Sequence, residues 1–187
     1  MFITPTEILY LVILVFAIGY IFSNYIKRPR TEIDIIEDNN YFNWEDIKFA
    51  ALIAAPAVIL HELGHKFVAL FFGLNAVLKI YWEGLGLGIF LKLISSPFLI
   101  LAPAYVSISG NGTALQQMLT SFAGPFMNFL LFLISYLILN RAKLTKNQAT
   151  ILYLTKQINL LLFIFNMIPI PPLDGFSVFS NLFRIIF

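Results

Sequence analysis

The sequence contains no cysteine, which excludes disulfides, thiolate metal sites and cysteine nucleophiles together. It is also short of charge. Only 12% of its residues are Asp, Glu, Lys or Arg, where a soluble domain carries about 25%, so the chain has too little polar surface to cover itself in water. Lys+Arg 12 against Asp+Glu 10 leaves a net charge of +2, too slight and too scattered to attract nucleic acid. Internal repeats and low-complexity tracts are missing. With 59% hydrophobic residues in 187 and a mean hydropathy of +0.85, disorder, a collagen-like repeat and a coiled coil are excluded too. What the chain has in excess is apolar length, and the composition is that of an integral membrane protein.

Four apolar stretches are long enough to cross a ~30 Å hydrocarbon core, which takes roughly 20 helical residues. They run from Ile8 to Ile26, from Ile47 to Phe72, from Met118 to Leu139, and onward from Ile151. The first is too long for a signal-peptide core, and its basic cluster, Lys27, Arg28 and Arg30, follows it instead of preceding it. The one clearly polar segment, Lys27 to Asp46, carries Glu32, Asp34, Glu37, Asp38, Glu45 and Asp46 and reads as a surface loop. A short polar connector, Asn140 to Gln148, separates the last two spans.

Between the second and third spans the pattern changes. AVLKIYWE, GLGLGIFLKL and FLILAPAYVSIS, cut by Gly and Pro, favour strands over a helix. An open sheet edge facing lipid is not tolerated, so this region is expected as a hairpin packed against the helices. The expected fold is an all-α, polytopic membrane protein of about four transmembrane helices, with a membrane-associated β-hairpin region between the second and third. Residues 1–46 form an N-terminal helix and polar loop. Residues 47–187 form the core: helix 47–72, β-rich region 75–110, helix 118–139 and a broken helix 151–187.

The strongest chemical signal is HELGH, His61 to His65. Helix positions four apart share one face, so both imidazoles can bind one metal. Glu62, beside the first of them, can act as general base on a metal-bound water. Gly64 removes a side chain beside the metal and lets another backbone approach. A chance match or a buried polar pair would produce the same five letters. Against this, these are the only two histidines in the chain, and ionisable groups in an apolar span are costly and usually functional.

A catalytic zinc takes three protein ligands and keeps one position open. With no third histidine and no cysteine, the third ligand should be a carboxylate, and Glu7, Glu83 and Asp174 are the candidates. Glu7 starts the first span and reads as interfacial. Glu83 follows the motif at about the separation used by soluble zinc proteases of the His-His-Glu type, but it falls in a strand or turn, and a plain hairpin charge is the preferred reading. Asp174 lies in NMIPIPPLDG, where Pro169, Pro171 and Pro172 break the fourth span. It therefore falls near the start of a new helical turn, where the helix dipole favours an ionised carboxylate. A simple helix cap is the alternative.

HELGH followed by Asn166-x-x-Pro169 and Leu173-Asp174-Gly175 resembles the site-2 protease family of intramembrane zinc metalloproteases. AGPFMN, Ala123 to Asn128, is similar to that family's AGPxxN. PAYVSISG, Pro103 to Gly110, is similar to its Gly-Tyr-Val hairpin, with Ala104 where Gly is usual. The resemblance covers roughly residues 47 to 180. It implies one zinc ion (Zn2+) per chain held by His61, His65 and Asp174, with Glu62 activating water and Asn166 binding substrate or stabilising charge. It further implies a metalloendopeptidase that cleaves transmembrane protein substrates within the lipid bilayer of the cell membrane. With only Phe176 to Phe187 after the LDG turn, a compact form without a PDZ domain or extra C-terminal spans is expected.

Two readings stay open. Positive-inside counting puts Lys27, Arg28, Arg30, Arg141, Lys143 and Lys146 on the cytoplasmic side, whereas the family arrangement puts the hairpin and active site nearer the cytoplasm. The alternative function is a membrane zinc-binding or transport protein, in which Glu62 would be a ligand or gate. GLGLG lacks the GxGxxG spacing of a nucleotide loop, no GxSxG elbow is present, and the 20 phenylalanines read as lipid-facing and packing residues.

Overall fold

Three of the long helices open on the same local device. Thr4, Thr113 and Thr145 each adopt an extended backbone, accept the N–H of the residue three positions on, and are bridged back by Glu7, Gln116 and Gln148. Such capping boxes satisfy donors that a helix start otherwise leaves without partners. The computed structural model describes residues 2–29, 43–96 and 103–187. Along it the elements are α1 (Pro5–Phe22), α2 (Trp44–Phe71), β1 (Asn75–Ile80), α3 (Trp82–Leu93), β2 (Ala104–Ser109), α4 (Ala114–Arg141), α5 (Lys146–Asn166) and α6 (Asp174–Ile186). The acidic stretch of the expected loop, Glu32 to Asp38, and the run Phe98 to Leu101 lie outside the described residues.

Helices α1, α2, α4 and α5 are long and apolar enough to cross a membrane, so the chain is a multi-pass integral membrane protein. Their ends differ from the hydropathic limits. α1 closes at Phe22, before the expected Ile26, while α4 and α5 begin at Ala114 and Lys146, before Met118 and Ile151. The capping threonines carry the helix into polar sequence. Glu45 and Asp46, expected in the loop, belong to the first turn of α2, where their charge complements the helix dipole. Asn43 Oδ1 accepts both of their backbone N–H groups.

β1 and β2 pair as a two-stranded antiparallel sheet. They bound the region expected to be β-rich, and β1 alternates buried Ala76, Leu78 and Ile80 with exposed Asn75, Val77 and Lys79. The run between them is a correction: GLGLGIFLKL is helical, in α3, not a strand. Its letters alternate with period two, but the buried Gly84, Gly88 and Lys92 recur every four residues, which is one face of a helix. Packing has overridden a weak local preference.

By contact the chain falls into two units, Met1–Pro56 with Ile80–Ala104, and Ala57–Lys79 with Tyr105–Phe187. In the first, α1 meets the opening half of α2 at Gly19, and α3 meets α1. Lys92 Nζ donates to Tyr20 O and to Ser23 Oγ (2.6 Å) and sits over the Tyr20 ring. A cation among C-terminal carbonyls suits the helix dipole, and burial pulls the Lys92 pKa down to about 8. In the second unit Ala69, Leu74 and Ala76 form a small apolar core with Leu70, Phe72 and Val106, and α4 packs along both α5 and α6.

A Cβ at Gly19 would lie 2.7 Å from Ala51 Cβ and 2.8 Å from Ile47 O, so Gly19→Leu must separate two helix backbones. It is expected to destabilise the protein by about 1–3 kcal/mol, read as a lower denaturation midpoint in detergent. Gly86→Ala, where nothing lies within 4 Å of the added atom, should instead gain about 0.5–1 kcal/mol.

Candidate metal centre

His61 and His65 lie one turn apart on α2, both buried, their rings edge to face with centroids 4.8 Å apart. Asp174 comes from the far end of the chain. The segment after α5 holds Pro169, Pro171 and Pro172, which have no N–H to continue a helix, and α6 restarts at Asp174 with Leu173 as its N-cap. Gly175 lets this first turn press against the Met167 carbonyl, where a Cβ would overlap.

Three atoms converge. His61 Nε2 lies 3.1 Å and His65 Nε2 3.4 Å from Asp174 Oδ2, and the two Nε2 atoms are 3.2 Å apart. Among the described residues this is the one group of three or more His, Asp or Glu placed to hold a metal ion. A tetrahedral cation with bonds of about 2.0–2.1 Å sets its ligand atoms about 3.3 Å apart, so the triangle already has the right edges.

The outer nitrogens decide where the protons sit. His65 Nδ1 donates to Thr120 O at 2.8 Å, and a carbonyl can only accept. His61 Nδ1 meets Asn128 Oδ1 at 2.7 Å, while Asn128 Nδ2 donates to Ala57 O at 2.9 Å. With its NH2 turned to Ala57, Asn128 presents its oxygen to His61. Both imidazoles are therefore protonated at Nδ1 and offer lone pairs at Nε2. Three acceptors facing one another at these distances call for a cation, and the residues fit one.

Two glycines make the convergence possible. At Gly64 a Cβ would lie 2.8 Å from Ala123 O, so α2 and α4 touch backbone to backbone, and at Gly124 it would overlap His65 Nε2 and stand 2.8 Å from His61 Nε2. Glu62 is half-buried beside the cluster, with the backbone of Val106 in β2 close to its carboxylate. Ser121 Oγ donates to Ser177 Oγ at 2.8 Å, tying α4 to the helix that bears Asp174.

Of the carboxylates weighed from the sequence, Asp174 joins the histidines. Glu83 is exposed in the first turn of α3 and takes no part in the cluster. Glu7 is buried in the capping box of α1. Asn166 is the last residue of α5, half-buried, and is not among the three that converge. Sequence reasoning gave no role to Thr120, Gly124 or Asn128. A signal was present for Asn128: an amide inside an apolar span is costly unless it is paired.

The family model of Peptidase family M50 matches residues 49–146 and 140–187. The chain is 32% identical over 178 residues to a Methanocaldococcus jannaschii protein named "Putative zinc metalloprotease", covering 92% of this chain and 82% of that one. A Bacillus subtilis protein of the same description is 28% identical over 168 residues, covering 76% of this chain and 72% of the relative. A Synechocystis protein, again so described, is 30% identical over 133 residues, covering 71% of this chain but 30% of its own length. No solved structure matches the chain.

Metal analysis of purified protein is expected to give about one ion per chain, lost in His61→Ala and Asp174→Ala and kept in Glu83→Ala. Gly124→Ala is the sharper test. Its methyl group would occupy the space beside both Nε2 atoms, so metal content should fall although every ligand remains.

Proposed function

The chain belongs to peptidase family M50, and from that premise we propose that it is a zinc-dependent endopeptidase of the site-2 type, hydrolysing peptide bonds within or near transmembrane segments of membrane proteins. The observation that carries this reading is the convergence of His61 Nε2, His65 Nε2 and Asp174 Oδ2 beside Glu62 on an apolar helix. Two nitrogens and a carboxylate oxygen form a donor set suited to catalytic zinc, with one position left for a reactant.

A zinc ion held there supplies Lewis acidity, lowering the pKa of water towards neutral and polarising a scissile carbonyl. The remaining work falls to the chain. Glu62 would take the proton of the attacking water on its carboxylate as the C–O bond forms and deliver it to the amide nitrogen, after which the C–N bond breaks and the amine leaves. The backbone of Val106 lies near that carboxylate and is placed to steady it. Asn166 is assigned to binding substrate or stabilising developing charge near the site.

A helical substrate has its amides hydrogen-bonded and shielded, so the scissile stretch must unwind. β2 supplies a surface for it: Val106 already reaches Glu62, and an extended peptide added beside this strand would gain main-chain hydrogen bonds close to the general base. Selection then rests on how easily a substrate helix opens.

Two experiments test this. Glu62→Gln should keep its zinc and its fold yet lose cleavage of a transmembrane peptide, because only the base is removed. A wild type that cleaves nothing while liposomes show Glu62-dependent zinc flux would favour a zinc carrier instead. In a matched peptide panel, Gly or Pro near the scissile bond, which weaken a helix by about 1 and 3 kcal/mol, should speed cleavage over an all-Leu/Ala helix. Equal rates across the panel would remove the unwinding argument.

A further inference from the structure

We propose that Asn159 is a positioning residue: acting through Asn128, it holds His61 in the tautomer whose Nε2 can bind metal. The inference rests on the zinc reading of the site. Asn159 belongs to α5, which contributes none of the three converging ligands, and both Asn159 and Asn128 are completely buried at 0% exposure. Neither amide can turn to water to satisfy itself, so every partner is fixed by the protein.

The order of donors and acceptors runs one way. Asn159 Nδ2 donates to Thr155 O at 2.8 Å, which turns Asn159 Oδ1 towards Asn128, where it accepts from Nδ2 at 2.9 Å. The two hydrogens of the Asn128 amide are then taken by Asn159 Oδ1 and Ala57 O, both acceptors. Its Oδ1 is left facing His61 Nδ1 at 2.7 Å, so that nitrogen must carry the proton. An amide keeps its shape when flipped. A flipped Asn128 would present its NH2 to His61, drive the ring proton to Nε2 and close that ligand. His65 has no such weakness, because its partner is the Thr120 carbonyl, which accepts in every conformation. Together with the Ala57 carbonyl, Asn159 thus guards the one histidine whose tautomer depends on a side chain.

The test uses the full-length chain in detergent, with ring 15N-labelled histidine. NMR of the zinc-loaded protein reads which ring nitrogen of each histidine carries the proton, and competition with a chelator reads zinc affinity. In the wild type both rings should be protonated at Nδ1. In Asn159→Leu, His61 should gain an Nε2-protonated population while His65 stays unchanged, and zinc affinity should fall about 10- to 100-fold. Asn159→Asp should behave as wild type: a buried, protonated carboxyl can donate to Thr155 O and accept from Asn128. If Asn159→Leu does not fold, Asn159→Ala is read in its place. An unchanged His61 tautomer and affinity in the apolar variant would overturn the proposal. So would an equal disturbance of His61 and His65, or a loss of affinity in Asn159→Asp. A wild type that binds no zinc would sink the metal reading itself, whereas zinc binding indifferent to Asn159 would sink only the relay.

Discussion

The centre depends on helix backbones approaching closer than side chains would allow. Gly64 admits the Ala123 carbonyl and Gly124 leaves room at the two Nε2 atoms. In hydrocarbon the hydrophobic effect does not drive helices together, so small residues and interhelical hydrogen bonds take over that task. The cluster is drawn from α2 and α6, with α4 lying against both of its histidines. The backbone contacts that bring these helices together are the same ones that set the ligand triangle.

Polar groups inside the second unit follow from this arrangement. Asn128, Asn159, Thr120 and Asn181 are all buried, and an unpaired amide in such surroundings costs several kcal/mol, on the order of 2–7. Most of that cost is offset by pairing. Asn128 bridges His61, Ala57 and Asn159, and Asn181 Nδ2 donates back to Ser177 O. The polar seam therefore runs beside the ligands, joining α2, α4 and α5 through Asn128.

The histidine pair was legible because an i, i+4 spacing is a local property that survives folding. Asp174 was legible for a related reason: three prolines announce where a helix must stop and restart. Hydropathy alone does not place the helix ends: α4 and α5 start where Thr113–Gln116 and Thr145–Gln148 form capping boxes, in polar sequence ahead of the apolar runs. GLGLGIFLKL misled because its two-residue alternation concealed a four-residue burial period that only packing against other elements reveals. The bonds of Asn128 to His61 and Asn159 cross between spans. A residue far along the chain supplies each partner, so no local pattern could disclose them.

One imidazole leans on the main chain and the other on a side chain. That asymmetry bears on how the protein can drift over generations. Whatever residue occupies position 120, its carbonyl remains, so substitution there threatens His65 through shape alone. The support of His61 is heritable only as long as an amide persists at 128 and a side chain able to accept from it persists at 159. Lineages descending from such a sequence would be free to vary on one flank of the centre and be held fast on the other.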